Sequence, residues 1–134
     1  MFKKINSQNE VIGIGIDILE VDRIEKIINK KGESFLNRIF TDTEINYCKS
    51  KKRSFESFAV RFSAKEAFIK AIESDQNIAY KDIEVKNKKN KKPFIKLYGK
   101  AKEVAKEKNI NEILISLSHE RHYVVANIIL KGRI

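Results

Sequence analysis

Apolar and polar positions change their spacing several times along the chain, and each change marks an element. Val11-Ile12-Gly13-Ile14-Gly15-Ile16-Asp17-Ile18 is a β-branched run interrupted by two glycines and one acid, which predicts a strand. Its apolar residues occupy both parities, so both faces of that strand are expected to be covered. Met1 to Glu10, ahead of it, are polar and expected to be loose. Val21, Ile24, Ile27 and Ile28 then fall at spacings of three and four, the stripe of a short amphipathic helix, with Lys30 and Lys31 in its last turn and Gly32 as its stop. Thr41-Asp42-Thr43-Glu44 has the form of a capping box. In it the Thr41 hydroxyl and the Glu44 carboxylate satisfy backbone amides at the start of a helix reaching about Lys52.

The longest predicted element is Ser54 to Glu73, free of Gly and Pro, a helix of about 30 Å at 1.5 Å per residue. Phe58, Phe62, Ile69 and Ile72 form one apolar stripe. Phe55, Ala64, Ala67, Phe68 and Ala71 extend it so far round that little of the helix can face water, so it is expected to be central and buried. Ile83 to Lys86 and Phe94 to Tyr98 read as strands joined across the Lys-rich segment ending at Pro93, and Gly99 to Lys108 reads as a helix through Ala101, Val104 and Ala105. Ile113 to Ser118 and Tyr123 to Leu130 read as a closing hairpin turning at His119-Glu120-Arg121-His122. The spacing is not that of regular βαβ units, and the last pair is antiparallel, which predicts an α+β fold in one unit spanning 1–134.

The 134 residues carry 28 Lys and Arg against 18 Asp and Glu, a formal net charge of +10. With 42% hydrophobic and 34% charged residues the chain can bury a core, so disorder is not expected. Apolar runs are only a few residues long and none follows Lys3 and Lys4, which argues against a membrane span or export and for a cytoplasmic location. The single cysteine, Cys48, excludes an internal disulfide and a multi-cysteine zinc site, and it is expected to be a packed, idle thiol. A surface this basic implies an acidic partner. A small basic nucleic-acid-binding protein is one reading of it, and that reading requires aromatics beside basic residues on an exposed strand face. Four of the eight phenylalanines fall instead in the Ser54 to Glu73 helix.

Two acids stand out against their surroundings. Asp17 has Ile16 and Ile18 beside it near the end of a strand, where a carboxylate must be capped, paired or metal-bound. A helix-start carboxylate or an ordinary salt bridge to a lysine would also satisfy it. Glu66 lies in the middle of the most apolar helix, on a stripe of Ala59, Ser63, Glu66, Lys70 and Glu73, so small residues flank it and an ammonium follows four positions later. Glu and Lys at that spacing are equally the stabilising pair of an exposed helix. Brought together, with Arg61, Lys65 and Lys70 nearby, the two acids would make half of an oxygen site for Mg²⁺ and point to phosphoryl transfer. Gly13-Ile14-Gly15 is not a dinucleotide fingerprint, since Ile18 stands where a third glycine is needed. The pair is expected to let another backbone or a large side chain come close. His119 and His122 lack the spacing of a zinc-binding helix motif.

Gly13-Ile14-Gly15-Ile16-Asp17-Ile18 followed by Arg23-Ile24, together with Arg61-Phe62-Ser63-Ala64-Lys65-Glu66-Ala67-Phe68-Ile69-Lys70-Ala71, resembles the two signature segments of the holo-acyl-carrier-protein synthases. These are the short class of 4′-phosphopantetheinyl transferases. Ile115-Ser116-Leu117-Ser118-His119 and Tyr123-Val124-Val125-Ala126 resemble that family's closing hairpin, so the match spans nearly the whole chain.

The resemblance implies a small, mostly antiparallel sheet around a long central helix, and transfer of 4′-phosphopantetheine from coenzyme A to a serine of an apo acyl carrier protein, with release of adenosine 3′,5′-bisphosphate. It implies Mg²⁺ held by Asp17 and Glu66 and Lys70 stabilising the departing phosphate. A carboxylate or a water on the ion, foremost through Glu66, takes the serine proton. By the same match Arg61 and His119 hold the nucleotide end or its phosphates, and Arg23 docks the acidic carrier. Similar proteins are trimers with active sites at subunit boundaries, and a homotrimer is expected here. One departure stands out: the family's Gly-rich turn near the pyrophosphate is replaced by Glu73-Ser74-Asp75-Gln76-Asn77, so no binding residue is carried onto that stretch.

Overall fold

A computed structural model of the chain describes residues 9–134. The elements run β1 (Asn9–Glu20), α1 (Val21–Lys31), α2 (Glu33–Ile39), α3 (Asp42–Lys49), α4 (Ser54–Ile72), a 3-10 turn (Tyr80–Asp82), β2 (Ile83–Asn87), β3 (Pro93–Leu97), α5 (Gly99–Glu107), β4 (Ile110–His119) and β5 (Tyr123–Arg133). β1, β5 and β4 form an antiparallel sheet in that order, and β2 and β3 pair antiparallel in a second, two-stranded sheet. This is an α+β arrangement around one long helix. Among the described residues no helix is long and apolar enough to cross a membrane.

α4 lies across β1 and β5, and the closeness of that contact depends on glycine. A Cβ added at Gly13 would sit 2.0 Å from the Ala71 carbonyl oxygen, and one at Gly15 would sit 2.0 Å from that of Ala67. Strand backbone therefore rests directly on helix backbone, as the sequence predicted for this glycine pair. The spacings are commensurate: two residues along a strand rise about 6.6 Å and four along a helix about 6.0 Å. Gly13 meets Ala71, Gly15 meets Ala67, and the next step brings Asp17 to Ser63, whose hydroxyl it engages. The small residues of the helix and the alternate glycines of the strand are two halves of one contact.

Two hydrophobic clusters meet on α4. One gathers Ala64, Ala67, Phe68, Ala71 and Ile72 with Ile83, Val104 and the inward residues Ala126, Ile128 and Leu130 of β5. The other gathers Phe58, Ala59 and Val60 with Ile24, Phe35, Leu36, Ile39, Phe40, Ile45 and Cys48. Cys48 is fully buried, burial pushes its thiol pKa up, and Ser57 Oγ donates to its sulfur, so it is the packed thiol expected.

Four expectations need correction. First, β1 is covered on only one face by its own chain: Ile14, Ile16 and Ile18 are 60–66% exposed, because their parity points away from α4. Second, Phe35, Leu36 and Ile39 belong to a helix, α2, that the sequence reading passed over. Gly32, at φ 57°, turns the chain from α1 straight into it. Third, α3 ends at Lys49, not about Lys52, with both capping-box hydrogen bonds formed at Thr41 and Glu44. Fourth, Asn9 and Glu10 are not loose but pair with Arg133 and Gly132, while residues 1–8 lie outside the described part.

Candidate active site

Asp17 lies near the end of β1 on the parity of Gly13 and Gly15, which faces α4. Ser63 Oγ lies within hydrogen-bond distance of Asp17 Oδ2, at 2.8 Å, and of the Asp17 carbonyl oxygen, at 3.0 Å. Lys70 Nζ lies 3.1 Å from Oδ1 and also donates to the Ile16 carbonyl oxygen at 3.0 Å. The Asp17 side chain keeps 16% exposure and that of Lys70 54%, so the pair opens to solvent on one side. The salt bridge weighed for Asp17 from sequence is thus present, and its partner is the lysine of the Glu66 stripe.

Glu66 falls between Ser63 and Lys70 on that face of α4, three residues after one and four before the other. Its Oε1 accepts a hydrogen bond of 2.7 Å from the Tyr80 hydroxyl. The Tyr80 phenol is pushed up to about 12, first by burial, then by its hydrogen bond to Glu66, with the Asp17 charge adding to the effect. Ser63 and Lys70, the two residues that bond Asp17, flank Glu66 on this face of α4, so both acids lie on the same side of the helix. The donor set is two carboxylates, one salt-bridged and one hydrogen-bonded. A hard cation that takes one or two protein carboxylates and completes its octahedron with water and phosphate oxygens fits this set. Among the described residues no cluster of three or more His, Cys, Asp or Glu suits a metal that needs a full protein cage.

Lys65, expected beside the phosphate site, is elsewhere. It is fully buried, ion-paired with Glu44 at 2.8 Å, and donates to the carbonyl oxygens of Tyr80 and Ile83. Burial pulls its pKa down against the opposing pull of Glu44. Lys65 is a core post that ties α3, α4 and the 3-10 turn together.

Arg61 and His119 come together, but not at the acids. Both line a concavity of about 530 Å³ with Tyr47, Asn87 and Lys92. Both also line an adjoining one of about 320 Å³ that adds Lys51, Lys52 and Arg53. Arg61 is nearly buried, lies 4.2 Å over the Tyr47 ring, and donates from Nη2 to Asn87 Oδ1 at 2.8 Å and from Nη1 to Ser57 Oγ at 3.1 Å. Its Nε is buried without a hydrogen-bond partner. His119 Nδ1 lies 2.5 Å from Glu56 Oε1. Neither concavity includes Asp17 or Glu66, because Arg61 leaves α4 on a different side from the Ser63, Glu66 and Lys70 stripe. Arg23 is exposed on α1.

Sequence reasoning missed Tyr80, Glu56 and Tyr47. Tyr80 stands in a stretch read as a polar connection, and Glu56 and His119 are too far apart in sequence for any spacing rule to join them. The Glu73 to Asn77 departure follows the end of α4, which Glu73 caps in a left-handed conformation at φ 46°. The Lys86 to Lys92 stretch forms a tight hairpin tip, closed by the Lys88 amide on the Lys92 carbonyl, and Lys92 reaches the Arg61 concavity.

Comparison with known proteins gives the same direction. The family profile described as the 4′-phosphopantetheinyl transferase superfamily matches residues 13–127. The holo-[acyl-carrier-protein] synthase of Halothermothrix orenii is 45% identical over 118 residues, covering 87% of this chain and 94% of its own. A holo-ACP synthase of Plasmodium yoelii superposes with a TM-score of 0.82 at 35% identity, over 94% of this chain and 98% of its own. A Bacillus anthracis synthase solved in complex with coenzyme A (3′,5′-ADP) superposes with a TM-score of 0.75 at 35% identity, over 91% of this chain and 97% of its own. The two-carboxylate face, the α+β framework and these matches over nearly the full length agree, and the chain belongs to the holo-[acyl-carrier-protein] synthases of the 4′-phosphopantetheinyl transferase superfamily.

Proposed function

We propose that the protein transfers 4′-phosphopantetheine from coenzyme A to a serine hydroxyl of an apo acyl carrier protein, releasing adenosine 3′,5′-bisphosphate. The observation that carries this reading is that Asp17 is held by Ser63 and Lys70, the residues three before and four after Glu66 on one face of α4. Asp17 and Glu66 are the residues that would hold Mg²⁺. When bound, the ion supplies neutralisation of diphosphate charge and polarisation of the phosphorus. Lys70, half-exposed and held beside Asp17, stabilises the departing phosphate. Glu66 is also the carboxylate toward which the proton of the carrier serine passes.

Arg61 and His119 hold the nucleotide end of coenzyme A. The unpartnered Arg61 Nε and the neighbouring Lys51, Lys52 and Arg53 suit its phosphates, and the Bacillus anthracis and Helicobacter pylori relatives were solved with coenzyme A bound. That these residues and the acids lie on different sides of α4 is accounted for by a homotrimer in which one protomer supplies Asp17, Glu66 and Lys70 and its neighbour supplies Arg61 and His119. The open sheet face supports such an assembly. Ile14, Ile129 and Leu114 form one cross-strand row on it, with Ile16 and Ile18 alongside, and an exposed apolar surface of this kind marks an interface. The exposed large apolar residues of this face are aliphatic apart from Tyr123 at its end, unlike the stacking platform that a nucleic-acid-binding protein requires. Arg23 and the +10 charge suit an acidic carrier, giving salt-sensitive encounter. The whole of 1–134 acts as one such unit, working in the cytoplasm.

Incubation with an apo acyl carrier protein, coenzyme A and Mg²⁺, followed by mass spectrometry of the carrier, tests the reading. The carrier gains one phosphopantetheine, and the gain is lost in Asp17→Asn and Glu66→Gln. No gain with the native protein across several carriers overturns it.

A further inference from the structure

Tyr80 is clipped at both ends by consecutive residues of α4. Its carbonyl oxygen accepts from Lys65 Nζ at 2.9 Å on the buried side, and its hydroxyl donates to Glu66 Oε1 at 2.7 Å on the open side. Its ring leans on Phe62 one turn earlier in the helix, with centroids 5.4 Å apart. The 3-10 turn that carries it is fixed in turn by the Asp82 amide on the Ala79 carbonyl. A phenylalanine could supply the ring contact, and any residue could supply the carbonyl. The hydroxyl alone reaches the acid.

A glutamate on a helix has three rotatable bonds and two equivalent oxygens, so an unrestrained Glu66 would offer either oxygen to a cation from several rotamers. With Oε1 held by Tyr80, the rotamer is selected and Oε2 is left as the available donor. We infer that Tyr80 is a positioning residue for this reaction, fixing the Glu66 carboxylate so that a single oxygen is presented to the divalent ion shared with Asp17. The inference rests on the proposed metal role of Glu66 and assigns to the chain a hydrogen-bonded support for that ligand, a device that elsewhere changes metal affinity by about ten- to a hundredfold.

The test uses Mn²⁺ alone as the probe, followed by electron paramagnetic resonance of the free ion, without coenzyme A or carrier. Four proteins are titrated: native, Tyr80→Phe, Glu66→Gln and the double variant. Tyr80→Phe is expected to weaken Mn²⁺ binding about tenfold, while its metal-free melting temperature moves by only a few degrees. In the double variant, the loss is expected to be no larger than that of Glu66→Gln, because the hydroxyl acts only through that carboxylate. Equal Mn²⁺ affinity in native and Tyr80→Phe proteins overturns the assignment and leaves the metal reading standing. Additive losses in the double variant overturn it too, and so does a Tyr80→Phe variant that no longer folds, since the hydroxyl would then serve the core. If the native protein itself binds no Mn²⁺, the metal reading fails first and Tyr80 loses its role with it.

Discussion

Lys70 Nζ and Asp17 Oδ1 stand 3.1 Å apart, joining a helix to a strand from which it is separated by 53 positions in the chain. The lysine side chain is about half exposed, so the contact contributes less than about 1 kcal/mol to stability. In the proposed reaction its importance lies in holding an ammonium beside a carboxylate where phosphate charge would be handled. Lys70→Ala is therefore expected to leave the melting temperature within a few degrees of native and to lower kcat for carrier modification by about a hundredfold. A thermal melt and a steady-state assay check the two halves separately.

Gly15 is expected to tolerate no side chain. A Cβ there would lie 2.0 Å from the Ala67 carbonyl oxygen and 2.9 Å from the Ala71 amide nitrogen, both helix backbone that cannot rotate away. Gly15→Ala must push β1 off α4, at a cost of about 3 kcal/mol. The same shift would carry Asp17 away from Ser63. Urea denaturation measures the first effect, and loss of carrier modification at temperatures where the variant remains folded measures the second.

Sites shared between protomers can be detected by complementation. Asp17→Asn and Arg61→Ala should each be inactive when pure. After the two are unfolded together and refolded as a mixture, roughly a quarter of the sites would pair a native acid face with a native Arg61. Recovered carrier modification is the expected result. Ile16→Glu, which places a charge on the open sheet face, is expected to give a smaller species by sedimentation equilibrium and to abolish the recovery.

Acid sensitivity should have a contribution from Glu84. Burial opposes its charge, but hydrogen bonds from Thr41 Oγ1 and the Tyr98 hydroxyl outweigh that and hold its carboxyl below the ordinary 4.5. A carboxyl whose pKa is lower folded than unfolded binds fewer protons in the native state. Its stabilisation is complete above about pH 4.5 and fades as pH falls through the folded value. Urea midpoints of native and Glu84→Gln proteins are expected to differ most near pH 6 and to converge toward pH 3.

The local pattern of the chain determined much of this protein. The capping box at Thr41 and Glu44, the uninterrupted helix through Ser54–Ile72, the closing hairpin and the close approach at Gly13 and Gly15 all rest on residues a few positions apart, where spacing maps directly onto geometry. Asp17 and Glu66 stood out because charge is costly among apolar neighbours. Only the tertiary structure decided which cations serve them. Lys65 and Lys70 lie five positions apart, about 140° around the helix, so one is sealed in the core with Glu44 and the other meets Asp17. It likewise paired His119 with Glu56 and brought Tyr80 to Glu66. The open face of β1 was illegible for a simple reason: an isoleucine covered by its own chain and one left exposed present the same hydrophobic pattern, and only the packing of α4 on one side of the sheet tells them apart.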